Sequence, residues 1–313
     1  MPGLLIRIRR ALFGLSRREA DFTTRGFATT TTPAARERLE SIGGAFIDGY
    51  NALLSANLDS GVEQADPELR GFVVEGAAMA CALLDYLTPW RRDRWAELLA
   101  NRPEHVYMIH IGAGWATARL RRSLRRAIAK RDPLLGWLVA DGWGFHETYF
   151  HPERWATGGE QFPVRDGYVS RAVDQGIGRA LWFVAGAAPA RVANHVDCFA
   201  PERRADLWSG IGLAATYAGG CTAEELDALG TLAGEFRASL AQGAAFAATA
   251  RAVAGNTTVA VDRAARALSG HGSSELWQLA KRCEPPAPHT VLGDDYEHWR
   301  TRLREALATS EAA

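Results

Sequence analysis

The chain has 313 residues, 47% of them hydrophobic, with 36 basic residues against 36 acidic ones. That apolar fraction is ample for a sizeable core, and the balanced charge leaves no global attraction to nucleic acid. No apolar stretch is long and uncharged enough to span a bilayer, and the start lacks a signal peptide's apolar region, so an unprocessed cytoplasmic protein is expected.

Residues 1–20 form a basic amphipathic segment, with Leu4, Leu5, Ile8, Leu12 and Leu15 opposed by Arg7, Arg9, Arg10, Arg17 and Arg18. Such a segment either touches a membrane surface peripherally or caps the apolar face of the structure that follows. Residues 21–34, with Thr29 to Thr32 in a row, read as loop. This gives an N-terminal cap and loop over 1–34, a main array over 35–285 and a C-terminal capping segment over 286–313.

The array is marked by a glycine followed by a small residue two places on and usually another four places on. It reads Gly43-Gly44-Ala45-Phe46-Ile47, Gly76-Ala77-Ala78-Met79-Ala80, Gly112-Ala113-Gly114-Trp115-Ala116, Gly142-Trp143-Gly144-Phe145-His146, Gly176-Ile177-Gly178-Arg179-Ala180, Gly210-Ile211-Gly212-Leu213-Ala214 and Gly243-Ala244-Ala245-Phe246-Ala247. A period near 34 residues is that of stacked helical hairpins. On a helix, the glycine and the residue two places on point almost oppositely, which gives small flanks toward two neighbours. Each interior glycine costs about 1 kcal/mol of helix propensity, so their recurrence argues for close packing. The expected fold is all-α, an α-α superhelix, open as a solenoid or closed as a toroid, of about seven hairpin repeats.

Two places break the array. The run Arg119, Arg121, Arg122, Arg125, Arg126, Lys130 and Arg131 reads as a solvated helix face. Tyr149 to Tyr168 is too rich in Gly, Pro and aromatics for helix and reads as an inserted loop near a binding site. Further on, Pro189 to Phe199 and Pro201 to Tyr217 read as helices, Gly219-Gly220 as a stop, and Thr222 as the cap of Ala223 to Leu232.

A pocket wall follows from the same register. The residues one before and three after each glycine share a third face: Ile42/Phe46, Glu75/Met79, Ile111/Trp115, Asp141/Phe145, Gln175/Arg179, Ser209/Leu213 and Gln242/Phe246. Lined up across repeats they make an apolar stripe punctuated by polar groups. Asp141, Glu147 and Glu75 are the acid candidates, with His146 as partner, because a carboxyl group in an apolar cavity holds its proton. Met79, Trp115, Trp143, Phe145, Tyr149, Gln175 and Trp182 are the substrate-binding candidates. His146 and His151 offer an alternative metal pair, but H-E-x-x-x-H sets them 140° apart unless the helix ends near Phe150. No P-loop, dinucleotide loop, G-x-S-x-G elbow or DxDD string is present, so no cofactor is expected. Cys81, Cys198, Cys221 and Cys283 are scattered and suggest neither disulfides nor zinc.

The strings Glu75-Gly-Ala-Ala-Met-Ala, His105-Val-Tyr-Met-Ile-His-Ile-Gly, Asp141-Gly-Trp-Gly-Phe-His-Glu-Thr-Tyr-Phe-His-Pro, Asp174-Gln-Gly-Ile-Gly-Arg-Ala-Leu-Trp-Phe-Val-Ala-Gly and Asp206-Leu-Trp-Ser-Gly-Ile-Gly-Leu-Ala resemble the bacterial family catalogued as domain of unknown function 1702. The resemblance covers nearly the whole chain. It implies a place in actinobacterial natural-product clusters, notably beside enediyne polyketide synthase cassettes, with relatives in terpenoid clusters, and it supplies no catalytic residues. Residues and resemblance together lead to the expectation of a protein that encloses a long, apolar, unsaturated polyene or enediyne-type intermediate and acts on it by acid/base chemistry. One alternative is an isoprenoid cyclase whose aromatic side chains stabilise cations. The other is a non-catalytic scaffold for partner proteins of the same pathway. A large apolar small molecule is the expected partner, and nucleic acid is not.

Overall fold

The computed structural model describes residues 2–28, 32–88, 90, 93–158 and 167–311. Among these the chain is all-helical, with no strand. Seven helices carry the glycine motifs: Pro33–Leu54, Arg70–Leu87, Val106–Arg119, Leu138–Phe150, Gly167–Val184, Pro201–Tyr217 and Arg237–Val253. They pack in series, each against the next along the chain. Shorter helices lie between them in sequence, and Pro189–Asp197, Ala223–Leu232 and Val259–Ser269 pack on one another as a second layer.

Local chemistry sets the boundaries. Thr222 and Glu225 form a reciprocal capping box at the start of Ala223–Leu232, Pro189 and Pro201 open their helices, where a missing N–H costs nothing, and Gly219 and Gly220 follow Tyr217 with positive φ.

The motif glycines lie where helices meet. A Cβ on Gly76, Gly112, Gly142, Gly176, Gly210 or Gly243 would collide with the backbone of the preceding motif helix, at Phe46, Glu75, Ile111, Asp141, Gln175 and Ser209 respectively. The glycines two places on face forward: Gly114 meets Val139, Gly144 meets Val173, Gly178 meets Leu207 and Gly212 meets Leu240. The first copy departs from this rule. Gly43 and Gly44 face Ala20 and Arg17 of the N-terminal segment, and it is Gly49 that lies against Val73 of the next helix. The first helix has no predecessor, so its backward face receives the chain's own start.

Other sequence expectations shift in detail. The 21–34 loop contains a helical turn, Phe22–Arg25, ended by Gly26 at φ 69°, while 29–31 lie outside the described residues. Within the Tyr149–Tyr168 insertion, Pro152–Trp155 is a helical turn and Tyr168 already belongs to Gly167–Val184; residues 159–166 lie outside the described residues. The basic run is divided by Ser123, which caps Leu124–Ala129; Leu124, Ala127 and Ile128 of that helix are buried beneath the arginines. No disulfide joins the four cysteines, and no helix among the described residues is long and apolar enough to cross a membrane.

The series bends back on itself. Tyr217 of the sixth motif helix packs edge-on to Phe72 of the second at 5.2 Å, and Arg251 of the seventh donates to the Glu68 carbonyl at 2.7 Å. At the other end, Asn51 grips the N-terminal segment, accepting from Leu15 N–H at 3.0 Å and donating to its carbonyl at 2.9 Å. The C-terminal helix Asp295–Glu311 is held by ion pairs of Arg171 and Arg300 with Asp206 and Glu297.

Replacing a helical glycine by alanine ordinarily gains about 1 kcal/mol. At Gly210 the sign reverses, because the added methyl meets the Gln175 carbonyl: Gly210→Ala is expected to lose on the order of 1 to 3 kcal/mol in urea unfolding.

Candidate functional site

The bend encloses a cavity lined from all seven motif helices. Its atom-free space is about 1090 Å³, open solvent included, of which the centre of a water molecule reaches about 80 Å³. Phe46, Trp115, Phe145 and Tyr149 form a continuous aromatic wall, with Phe46–Trp115 at 4.3 Å, Trp115–Phe145 at 5.0 Å and Phe145–Tyr149 stacked at 5.8 Å. The chain's ends contribute too, Leu15 and Glu19 from the N-terminal segment and Tyr296 and Trp299 from the C-terminal helix.

Nine of the fourteen stripe positions line this cavity: Ile42, Phe46, Glu75, Ile111, Trp115, Phe145, Arg179, Leu213 and Phe246. Those that do not are chiefly the polar residues one before each glycine, which link the helices behind the wall. Gln175 donates to Asp141 at 2.8 Å. Ser209 donates to Gln242 at 3.0 Å, and Gln242 accepts from Arg300 at 3.2 Å. The same register thus yields an apolar wall and a buried polar ladder.

Glu75 is the ladder's member that reaches the cavity. It is 3% exposed and accepts a hydrogen bond from the Trp115 indole N–H at 3.0 Å. Burial pushes its carboxyl up to about 7, against the lowering pull of Arg179 and of the Trp115 bond, and the nearby Asp141 charge adds to the rise. Arg179 lines the cavity with its guanidinium 5.1 Å from the Phe145 ring centroid, but its charge is engaged by Asp141 in a buried ion pair. Two carboxyl groups therefore share one cation; Asp141 holds it, and Glu75 keeps its proton.

The remaining candidates fall elsewhere. Asp141 lies behind the wall as the counter-ion of Arg179, not as a free proton donor. His146 is buried edge-on to Trp115 at 5.7 Å and bonded to Glu147 at 3.1 Å, with its pKa lowered by burial; neither residue lines the cavity. The position four after the glycine, mostly a small residue in the other motif copies, is here occupied by a hydrogen-bonded imidazole. The helix does end at Phe150, yet His151 is half-exposed beside Glu153, and no group of three or more His, Cys, Asp or Glu among the described residues could hold a metal. Trp143 packs against Trp155 at 5.4 Å, Trp182 donates to the Gly219 carbonyl, Gln175 belongs to the ladder and Met79 is core. Of the binding candidates, Trp115, Phe145 and Tyr149 face the cavity.

Arg179 is legible as the one cation among the fourteen stripe positions. Tyr217, which faces the cavity with a buried hydroxyl that has no partner, and Tyr296 and Trp299 carry no repeat signal.

The comparisons follow from this geometry. A family model described as protein of unknown function (DUF1702) matches residues 4–307. The chain belongs to that family. No curated protein and no solved structure matches it. For this DUF1702 member the match covers both chain-end segments that wall the cavity, Leu15 and Glu19 on one side and Tyr296 and Trp299 on the other.

Two predictions follow from the electrostatics. Asp141→Asn leaves Arg179 buried without its counter-ion and is expected to cost about 3 to 5 kcal/mol in denaturant unfolding. The unfolded chain releases the Glu75 proton near 4.5 and the folded one near 7. The stability from the protonated form is therefore complete below the first value and lost as pH rises to the second. Relative to Glu75→Gln, the wild type is expected to lose roughly 3 kcal/mol between pH 4 and 8, read from paired unfolding curves.

Proposed function

We propose that the protein is a helical-repeat superhelix that encloses a long, apolar, unsaturated intermediate of natural-product biosynthesis and rearranges it by proton transfer from Glu75. The observation that carries this reading is the position of Glu75: a carboxyl group pushed up to about 7 by burial, lining an aromatic cavity. A group titrating near working pH gives and takes protons with similar ease, which suits general acid and base work.

In the proposed step the π electrons of a carbon–carbon double bond take the Glu75 proton, forming a C–H bond and leaving positive charge on the neighbouring carbon. The Glu75 carboxylate that remains is stabilised by the Trp115 N–H and by Arg179. Trp115, Phe145 and Phe46 line the cavity, and aromatic rings around a carbocation stabilise it. Return of a proton from an adjacent carbon to Glu75 restores the acid and yields an isomer. Where a second double bond attacks the cation first, the product is a ring, so the isomerase and the isoprenoid-type cyclase readings share one acid. The scaffold reading draws no support from the apolar stripe, which is largely buried and lines the cavity.

The test is replacement of the chromosomal gene in a producing strain, followed by metabolite profiling. Glu75→Gln keeps shape and loses the proton, so the strain is expected to accumulate the unsaturated precursor, while Glu147→Gln produces normally. Normal production from Glu75→Gln would refute acid catalysis and leave the scaffold reading standing.

A further inference from the structure

A second recess lies at the seam where the series bends back, between the 62–70 segment, residues 102–105 and the end of the seventh motif helix. A water centre reaches about 260 Å³ of it, more than in the central cavity by the same measure. Arg70, Arg102, His105 and Asn256 supply its polar groups, with Glu63 and Glu104 also on its wall. Arg70 is spent on two long bonds to the backbone carbonyls of Ala65 and Glu63, at 3.3 and 3.4 Å. Arg102 pairs at 2.7 Å with Asp59, whose side chain is 85% exposed.

Behind these stands Arg251, 1% exposed. It donates to the carbonyls of Glu68 and Tyr217 and lies 3.9 Å over the Tyr217 ring. Among the described residues no carboxylate pairs with it, and its Nε–H has no partner. His105 is 5% exposed and its Nδ1 is equally without partner, as is the Asn256 side-chain oxygen. Arg251 does not itself line the recess, and Glu68 and Asp66 act on it, but together with Arg70 and Arg102 it acts on His105, so three cations converge on this wall and favour an anion in the recess. Glu63 and Glu104 do not supply it, because both are exposed enough for water to screen them.

The recess and the apolar cavity share no lining residue but lie about one helical turn apart on two elements: His105 precedes Met108 by three residues and Ala254 follows Ala250 by four, and Met108 and Ala250 line the cavity. Arg251 stacks on Tyr217, which lines it as well.

We propose that this recess binds the anionic head group, a carboxylate or a phosphate, of an amphipathic ligand whose apolar chain lies in the central cavity. The assignment rests on the reading of that cavity as an apolar-chain site, and it makes the substrate class an unsaturated chain with an acidic end.

Four probes test it by intrinsic tryptophan fluorescence at pH 7.5, since Trp115 and Trp299 line the cavity: dodecan-1-ol, dodecanoate, dodecyl phosphate and inorganic phosphate. At least one of the two anionic chains is expected to bind about tenfold or more tighter than the alcohol, and their order distinguishes carboxylate from phosphate. In Arg70→Gln/Arg102→Gln that preference is expected to shrink to roughly threefold or less, with alcohol affinity unchanged. Should the double variant misfold, the wild type alone decides: inorganic phosphate displaces the anionic chain and leaves the alcohol bound. Equal binding of alcohol and anionic chains overturns the head-group site and spares the cavity reading. Failure of all three chains to bind overturns both.

Discussion

Everything in this molecule depends on backbones meeting without side chains between them. At each junction of consecutive motif helices a glycine lies against a carbonyl of its neighbour, and from the third helix to the sixth the contact is doubled by a second glycine facing the other way. Glycine is costly inside a helix, so the expense recurs at each joint and is offset there by the dispersion contacts and exclusion of water that close approach permits. Two consequences follow from helical geometry alone. Fixing both small flanks fixes the rotation of each helix about its axis, and fixing that rotation forces the third face to point the same way in every helix. The cavity wall is what that third face becomes.

A wall built by repetition would be uniformly apolar unless single positions were exempted, and the exemptions here are arranged by charge. Arg179 is the cation brought to the wall from the stripe, and it is neutralised from behind by Asp141, one repeat earlier. With its charge engaged, Arg179 lowers the Glu75 pKa only partly, and burial wins. The Asp141 charge also raises the Glu75 pKa directly, against the lowering pull of Arg179. Asp141 therefore shapes the acidity of the site without touching the cavity, which is why a residue quoted for its motif turns out to work one layer back.

The sequence made the helical class legible, together with the packing glycines from the second copy onward and most of the apolar wall, because all three are periodic and periodicity survives without coordinates. It misplaced what is not periodic. The first motif copy was read at Gly43 when Gly49 makes the contact, since the first helix receives Ala20 and Arg17 on the face where later helices receive a predecessor. The weight placed on His146 and Glu147 came from an irregularity in the motif, and that irregularity is satisfied internally by their mutual hydrogen bond. Glu75 and Asp141 were indistinguishable as strings; only the structure shows Asp141 paired with Arg179 and Glu75 lining the cavity, its pKa raised by burial. Tyr296 and Trp299 come from a segment with no repeat signal, so nothing in the pattern could assign them to the wall.

That last point bears on how the site is assembled. Seven helices in series bury their flanks against each other, but the two ends of a series have unmatched faces, and here both are used. The N-terminal segment is pinned by Asn51 so that Leu15 and Glu19 close one part of the cavity. The C-terminal helix is pinned by Arg171, Asp206, Glu297 and Arg300 so that Tyr296 and Trp299 close another. Both anchors are polar and lie outside the apolar wall they complete. Strength of attachment and chemistry of the lining are therefore set by different residues: the ion pairs hold the C-terminal helix in place, while Tyr296 and Trp299 decide what the cavity accepts.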